Sequence, residues 1–289
     1  MKLKEIYCKN NEKPVISFEI FPPKNDDDGT KLEKLFNHLE ILKKYNPAFI
    51  SLTYGAGGTT QNLSLDIVKK LKNDLELVVM PHFTCVGSSK EQVKNYLDEV
   101  QSMGIENILA LRGDIPEGME QKNFDFQYAN NLVQFIKAET SLSIGVAGYP
   151  EVHMECDNCS VDLNNLKRKV DAGADAIYTQ MFFDNDKFFS FFESARDAGM
   201  EIPIIPGILP IMNYNQLERM LSMARVTVPN VLMQKLEKYK DNPEDIKKIG
   251  IDFASEQCQQ LLEAGVEGLH FYTLNTSSSV GKILDNISI

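Results

Sequence analysis

Eight short apolar segments rich in β-branched residues recur along the chain, and an amphipathic stretch separates each from the next. No other feature limits the fold as much. The segments are residues 15–21, 49–54, 77–85, 108–112, 143–147, 176–183, 203–208 and 268–274. Between them apolar positions fall three and four apart, as in Leu32, Leu35, Phe36, Leu39 and Leu42, or Leu65, Val68 and Leu71, which is the helical period. Helices are expected over 31–44 and 186–198, and Gly104, Gly173, Gly199 and Gly265 stand where helices should end. Strands that alternate with helices and lack hairpin turns pair in parallel. Eight of them in 289 residues read as an α/β fold, a (β/α)8 TIM barrel, with residues 1–289 forming one domain. The stretch 226–249 exceeds one loop, and residues 231–238 within it read as an extra helix before the last strand. No Gly-x-Gly-x-x-Gly follows the first strand, which argues against a dinucleotide-binding Rossmann domain.

The hydrophobic share of 43 % is enough for a full core. A net charge of −11, with Lys167-Arg168-Lys169 as the one basic run, excludes a nucleic acid or an anionic membrane surface as the main partner. The expected partner is a small molecule. Residues 202–212, the longest apolar stretch, are too few to span a bilayer and carry three prolines. The amino terminus is charged and lacks the apolar core of a signal peptide. Five dispersed cysteines suit a reducing compartment, so a cytoplasmic location is expected. Cys156-x-x-Cys159 is half of a zinc site, and no second pair completes it, so no metal is expected.

In parallel barrels the reactive groups gather at the strands' C-terminal ends. There the chain carries Glu19, Thr53 and Tyr54, His82, Arg112-Gly113-Asp114, Tyr149, Gln180 and Tyr272. Glu19 interrupts an apolar run that Pro22 and Pro23 then end. Burial disfavours the charged form of a carboxyl, so such a group suits proton donation near neutral pH; a lysine-paired glutamate is the plainer reading. His82 reads as a core histidine or a ligand, Asp114 as a site residue or a loop partner of Arg112, and Gln180 as a ligand contact or a backbone tie. A helix at 162–170 buries Leu163, Leu166 and Val170 and turns Asp162, Asn165 and Lys169 to another face beside Arg168. That face is either solvated or a cradle for phosphate and ribose.

The motifs Ser17-Phe18-Glu19-Ile20-Phe21-Pro22-Pro23-Lys24, Thr53-Tyr54-Gly55-Ala56, Pro81-His82-Phe83-Thr84-Cys85 and Leu111-Arg112-Gly113-Asp114 follow one another in order. Tyr149-Pro150-Glu151-Val152-His153, Asn165-Leu166-Lys167-Arg168-Lys169-Val170-Asp171-Ala172-Gly173-Ala174, Pro206-Gly207-Ile208-Leu209-Pro210 and His270-Phe271-Tyr272-Thr273-Leu274-Asn275 complete the series. Together they resemble the methylenetetrahydrofolate reductase family over nearly the whole chain, in its short bacterial form without a C-terminal regulatory domain.

The resemblance implies a barrel that holds FAD noncovalently and works by a ping-pong reaction. NADH or NADPH reduces the flavin, which then reduces 5,10-methylenetetrahydrofolate to 5-methyltetrahydrofolate. It implies Glu19 as the general acid that opens the folate ring, and Asp114 as a charge between flavin and folate. The residues it places around FAD are Thr53, Tyr54, Ala56, His82, Arg112, Gly113, Asp114, Tyr128, Ala129, Tyr149, His153, Asp162, Asn165, Arg168 and Lys169. Gln180, Gln216, Tyr272 and Leu274 resemble substrate contacts, and homo-oligomers are expected. The chain departs from the family at Thr276, where an arginine often stands, at Met220, where an aromatic residue often stacks on substrate, and in the loop 55–63, which lacks basic residues. The competing readings are a flavin- or pterin-binding subunit that needs a partner protein for electrons, and a metal-dependent aldolase or methyltransferase.

Overall fold

The computed structural model describes residues 1–9, 13–23, 26, 29–53, 61–115, 118 and 124–288. Eight parallel strands close into a barrel in sequence order: β1 (Val15–Ile20), β2 (Phe49–Leu52), β3 (Val79–Thr84), β4 (Asn107–Leu111), β5 (Ser143–Gly148), β6 (Ala176–Met181), β7 (Ile204–Ile208) and β8 (Gly268–Tyr272). Residues at strand ends such as Phe21, Arg112 and Leu274 lie outside the ladders, where the chain turns across the mouth. The register of β1 sets Ser17 beside His270 and Glu19 beside both Ser51 and Tyr272.

Side chains of a strand alternate between two faces, so each barrel strand feeds two cores. Ile16, Phe18 and Ile20 point outward and join Leu35, Leu39 and Leu42 of α2 (Thr30–Leu42) in the main core. The outer ring continues with α3 (Gln61–Asn73), α4 (Lys90–Ser102), α5 (Ala129–Glu139), α6 (Cys159–Asp171) and α7 (Asn185–Asp197). Ser89 caps α4, its hydroxyl accepting from Gln92 N at 3.2 Å while Ser89 N donates back to the Gln92 amide at 2.8 Å.

Three helices, α8 (Tyr214–Met223), α9 (Asn230–Lys238) and α10 (Pro243–Glu263), separate β7 from β8. The expected extra helix is α9, and α8 is a second addition. Leu217, Leu232, Leu236 and Ile246 pack with Leu209 and Ile211 in a core of their own, which builds one wall of the mouth. The last helix, α11 (Ser278–Asn286), completes the ring.

The charged amino terminus, for which no element was expected, forms the first helix, α1 (Leu3–Lys9). Leu3, Ile6 and Tyr7 are its buried side, packed on Val15, Phe49, Met80 and Ile205 at the end of the barrel where the strands begin. Lys4 reaches the buried Asp175 at 3.0 Å, and Tyr7 and Tyr178 join hydroxyls at 3.1 Å inside the barrel. The barrel is therefore closed at that end and open at the other. Among the described residues no helix is long and apolar enough to cross a membrane.

Candidate active site

Above the closed end the inward-facing residues turn polar. Ser17, Ser51, His82 and His270 are all buried, and Glu19 above them is 19 % exposed. Glu19 Oε2 lies 3.6 Å from His82 Nε2 and 3.7 Å from His270 Nε2, and among the described residues no lysine pairs with it. The plainer reading of Glu19 as one end of a lysine pair is not what the strand supplies. Among the described residues the buried His82 Nε2 has no hydrogen-bond partner. Burial lowers the His82 pKa from 6.5 to about 4, and His270 lowers it further while Glu19 opposes, so the ring is neutral.

The loop after β8 fixes the end of β1. Thr273 donates its hydroxyl to the Glu19 carbonyl at 2.7 Å, and Asn275 exchanges hydrogen bonds with the Phe21 backbone at 2.7 and 3.0 Å. Leu274 and Asn275 adopt positive φ of 51° and 58° to make that turn. Tyr272 donates to the Thr179 carbonyl at 2.7 Å, and a Cβ on Gly207 would stand 2.2 Å from that same carbonyl oxygen. Only glycine fits there.

An axial cavity of about 310 Å³ is lined by Glu19, Thr53, His82, Tyr178, Gln180, His270 and Tyr272, among others. Glu19, Gln180 and Tyr272 also line a rim cavity of about 240 Å³, walled by Leu209, Met220 and Leu274. The third space, about 480 Å³, lies over β4, β5 and α6 and shares Leu111, Ala147 and Tyr149 with the axial cavity. Arg112, Tyr128, Ala129, His153, Asp162, Asn165, Arg168 and Lys169 line it. A groove of about 650 Å³ between α10 and α11 is larger, but it is walled by solvated charges such as Glu244 and Lys247, which pair at 2.6 Å.

Within the third space the polar groups are fixed by one another. Lys169 donates to the Ala147 carbonyl at 2.5 Å and lies 5.8 Å from the Tyr149 ring centre. Burial lowers its pKa to about 8, against the pull of Asp162. Asp162 accepts from His153 N at 3.2 Å, and the His153 and Tyr149 rings meet edge to face at 4.6 Å. Burial pushes the Tyr149 hydroxyl up to about 12 and the His153 pKa down. Arg112 forks onto Glu155 at 2.5 and 2.7 Å, which holds the Glu155 carboxyl below the usual range. Arg112 therefore spends its fork on Glu155 and not on Asp114, which is exposed and acts on the guanidinium only through space. Gly113 has φ of 84°, and a Cβ there would meet Thr84 at 2.9 Å.

The structure thus brings nearly all the expected residues to one mouth. Tyr54 and Ala56 lie outside the described residues, as does most of the loop 55–63. Gln216 sits in the first turn of α8, while the residue of that helix lining the rim cavity is Met220. Gln180 uses its Oε1 on Met181 N at 3.0 Å, which leaves its amide NH2 to the cavities. Of Cys156-x-x-Cys159, Cys156 is buried and Cys159 exposed. Ser17, Ser51, His270, Thr273, Asn275 and Glu155 were given no role from sequence. Strand alternation was the available signal for Ser17, which stands two residues before Glu19 and so on the same face of β1.

Comparison with known proteins adds an independent line. The family model described as "Methylenetetrahydrofolate reductase" matches residues 3–288. An Arabidopsis thaliana protein named methylenetetrahydrofolate reductase (NADH) 1 is 41% identical over 94% of this chain and 48% of its own length. An Escherichia coli 5,10-methylenetetrahydrofolate reductase is 36% identical over 90% of this chain and 86% of its own. The chain spans about half the length of the plant and yeast relatives it matches and most of the length of the bacterial ones. A solved Clostridium thermocellum protein, described as uncharacterized and binding two copies of 5-methyl-5,6,7,8-tetrahydrofolic acid, shares the barrel at a TM-score of 0.70. That protein is 15% identical over 99% of this chain and 97% of its own, a likeness of fold.

Proposed function

We infer that this chain, which belongs to the methylenetetrahydrofolate reductase family, reduces 5,10-methylenetetrahydrofolate to 5-methyltetrahydrofolate with NADH, through a bound FAD. The observation that carries this reading is Glu19: a carboxyl to which no lysine or arginine is paired among the described residues, standing where the axial and rim cavities meet. NADH is favoured over NADPH by the names of the plant relatives.

The residues fit FAD. The spaces over α6 and along the axis share walls and form one elongated track, as a dinucleotide needs. Lys169 and Arg168 supply positive charge for a diphosphate, and Asp162 and Asn165 supply acceptors for hydroxyls. A buried lysine whose pKa has fallen to about 8 gains from an anion beside it, because the anion restores its charge. His82 Nε2, with no partner of its own, faces the axial end. FAD, when bound, supplies hydride transfer between nicotinamide and folate.

The rest is the work of the chain. Leu209, Met220 and Leu274 offer an apolar wall on which a pterin can lie and from which water is displaced. Gln180 has its amide NH2 free to donate to the substrate, and Tyr272, tied to Thr179, cannot swing away. Glu19 gives its proton to the ring nitrogen of the folate that leaves the methylene carbon. The bond between them breaks and a cationic iminium forms. Asp114, exposed just after β4, carries the charge that favours this cation. The test is anaerobic: NADH should bleach the yellow protein and methylenetetrahydrofolate should restore the colour. Flavin that NADH and NADPH both leave oxidised would overturn the reading and favour a partner-dependent subunit.

A further inference from the structure

We propose that Ser17 and His270 position Glu19, the Ser17 hydroxyl holding the His270 ring with its Nε2–H turned to the carboxyl, so that the charge left on Glu19 meets a donor. The inference rests on the proton donation proposed above.

His270 is 1 % exposed and caged. Its ring stacks on Phe49 at 6.0 Å, and Tyr178 at 5.2 Å and Tyr272 at 5.7 Å close its other sides. A ring so held cannot turn over, so its two nitrogens have fixed neighbours. Nδ1 meets Ser17 Oγ at 2.8 Å. Nε2 faces Ser51 Oγ at 3.4 Å and Glu19 Oε2 at 3.7 Å.

A neutral imidazole donates from one nitrogen and accepts at the other. The Ser17 hydroxyl has one proton and two acceptors within reach: Nδ1 at 2.8 Å and the Leu269 carbonyl at 3.5 Å. The shorter contact is the better hydrogen bond, so the hydroxyl proton goes to Nδ1 and the ring proton to Nε2. The register of β1 on β8, which places Ser17 beside His270 and Glu19 beside Tyr272, makes this one unit.

The proton balance is simple. The Glu19 O–H bond breaks, an N–H bond forms on the leaving ring nitrogen, and the pair from the broken N–C bond becomes that nitrogen's lone pair. At rest the Nε2–H has Ser51 Oγ at 3.4 Å as its nearer acceptor; the carboxylate that remains, 3.7 Å away, is the stronger acceptor because it is charged, and a small rotation of the carboxyl brings it into range. His270 loses no proton, so it is a positioning residue. The titratable groups facing Glu19 are His82 on β3 and His270 and Tyr272 on β8, and Tyr149 beyond β5 lines the same axial cavity.

The ¹⁵N spectrum of the imidazoles in the FAD-loaded protein reads the tautomer directly. The expected result is His270 protonated at Nε2 in the wild type, and a mixture in Ser17→Ala. An Nδ1–H tautomer in the wild type overturns the proposal, and that measurement needs no variant to fold. In turnover, Ser17→Ala should slow folate reduction about tenfold, the worth of one good hydrogen bond, and move the alkaline limb of its pH profile upward. Ser17→Thr, which keeps the hydroxyl, should restore both. If the wild type reduces folate and Ser17→Ala does so with an unchanged profile, only the positioning fails. If the wild type does not reduce folate, the proposed function itself fails.

Discussion

At the end of the barrel where the strands begin, Leu3, Ile6 and Tyr7 close the axis against Val15, Phe49, Met80 and Ile205. Further along the same strands the inward positions are Ser17, Ser51, His82, Glu19 and Gln180. Both layers are made by the same alternation. The closed end satisfies every requirement of a core: apolar contact, and hydroxyls paired with one another, as in Tyr7 and Tyr178. Among the described residues the open end leaves His82 Nε2 unpaired and the Glu19 carboxyl beyond hydrogen-bond range of both histidines. Unmet polar capacity at one end and its absence at the other separate a site from a scaffold.

The comparison can be broken at the closed end first. Ile6→Ala removes a buried side chain from the α1 plug and should cost about 2–5 kcal/mol of stability, read by denaturant unfolding. Below the melting temperature the rates at the mouth should stay as they were. A large loss of rate would show that the plug shapes the site.

His82 offers the next largest effect, at the open end. Its folded pKa of about 4 lies below its ordinary 6.5, so between those values the unfolded chain binds a proton that the native state refuses. Stability should therefore be full above pH 6.5 and fall by about 3 kcal/mol as pH drops to 4. His82→Gln should flatten that slope, which equilibrium unfolding across the range would show.

Two smaller effects sharpen the contrast. Tyr7→Phe leaves the buried Tyr178 hydroxyl without its partner and should cost about 1–3 kcal/mol with the same m-value. Lys169, with a pKa of about 8, should make FAD binding weaken about tenfold per pH unit above 8, because the neutral amine must then regain a proton. Lys169→Met should bind more weakly at neutral pH and lose that dependence in a fluorescence titration.

The barrel itself was legible because each β-branched run is long enough to stand apart from the helical period around it. The plug was not, since Leu3, Ile6 and Tyr7 are spread among Lys2, Lys4 and Glu5 in a stretch that reads as a charged tail. Their spacing of three and one was the helical signal. At the mouth, Glu19 was legible as an acid inside an apolar strand. Of its two histidine neighbours His82 was expected at the same mouth, whereas His270 was not, because it stands 251 residues further along and only closure brings it beside Glu19. The Arg112–Glu155 pair spans 43 residues and was hidden for the same reason, so the nearer Asp114 looked like the partner.

The central claim is that Glu19 serves the folate and not the nicotinamide. Glu19→Gln, loaded with FAD and studied anaerobically in separate half-reactions, tests it most directly. The account predicts that NADH reduces the flavin at the wild-type rate while its reoxidation by methylenetetrahydrofolate slows by about 10²–10⁴-fold. Equal loss in both half-reactions, or none in the second, would contradict it.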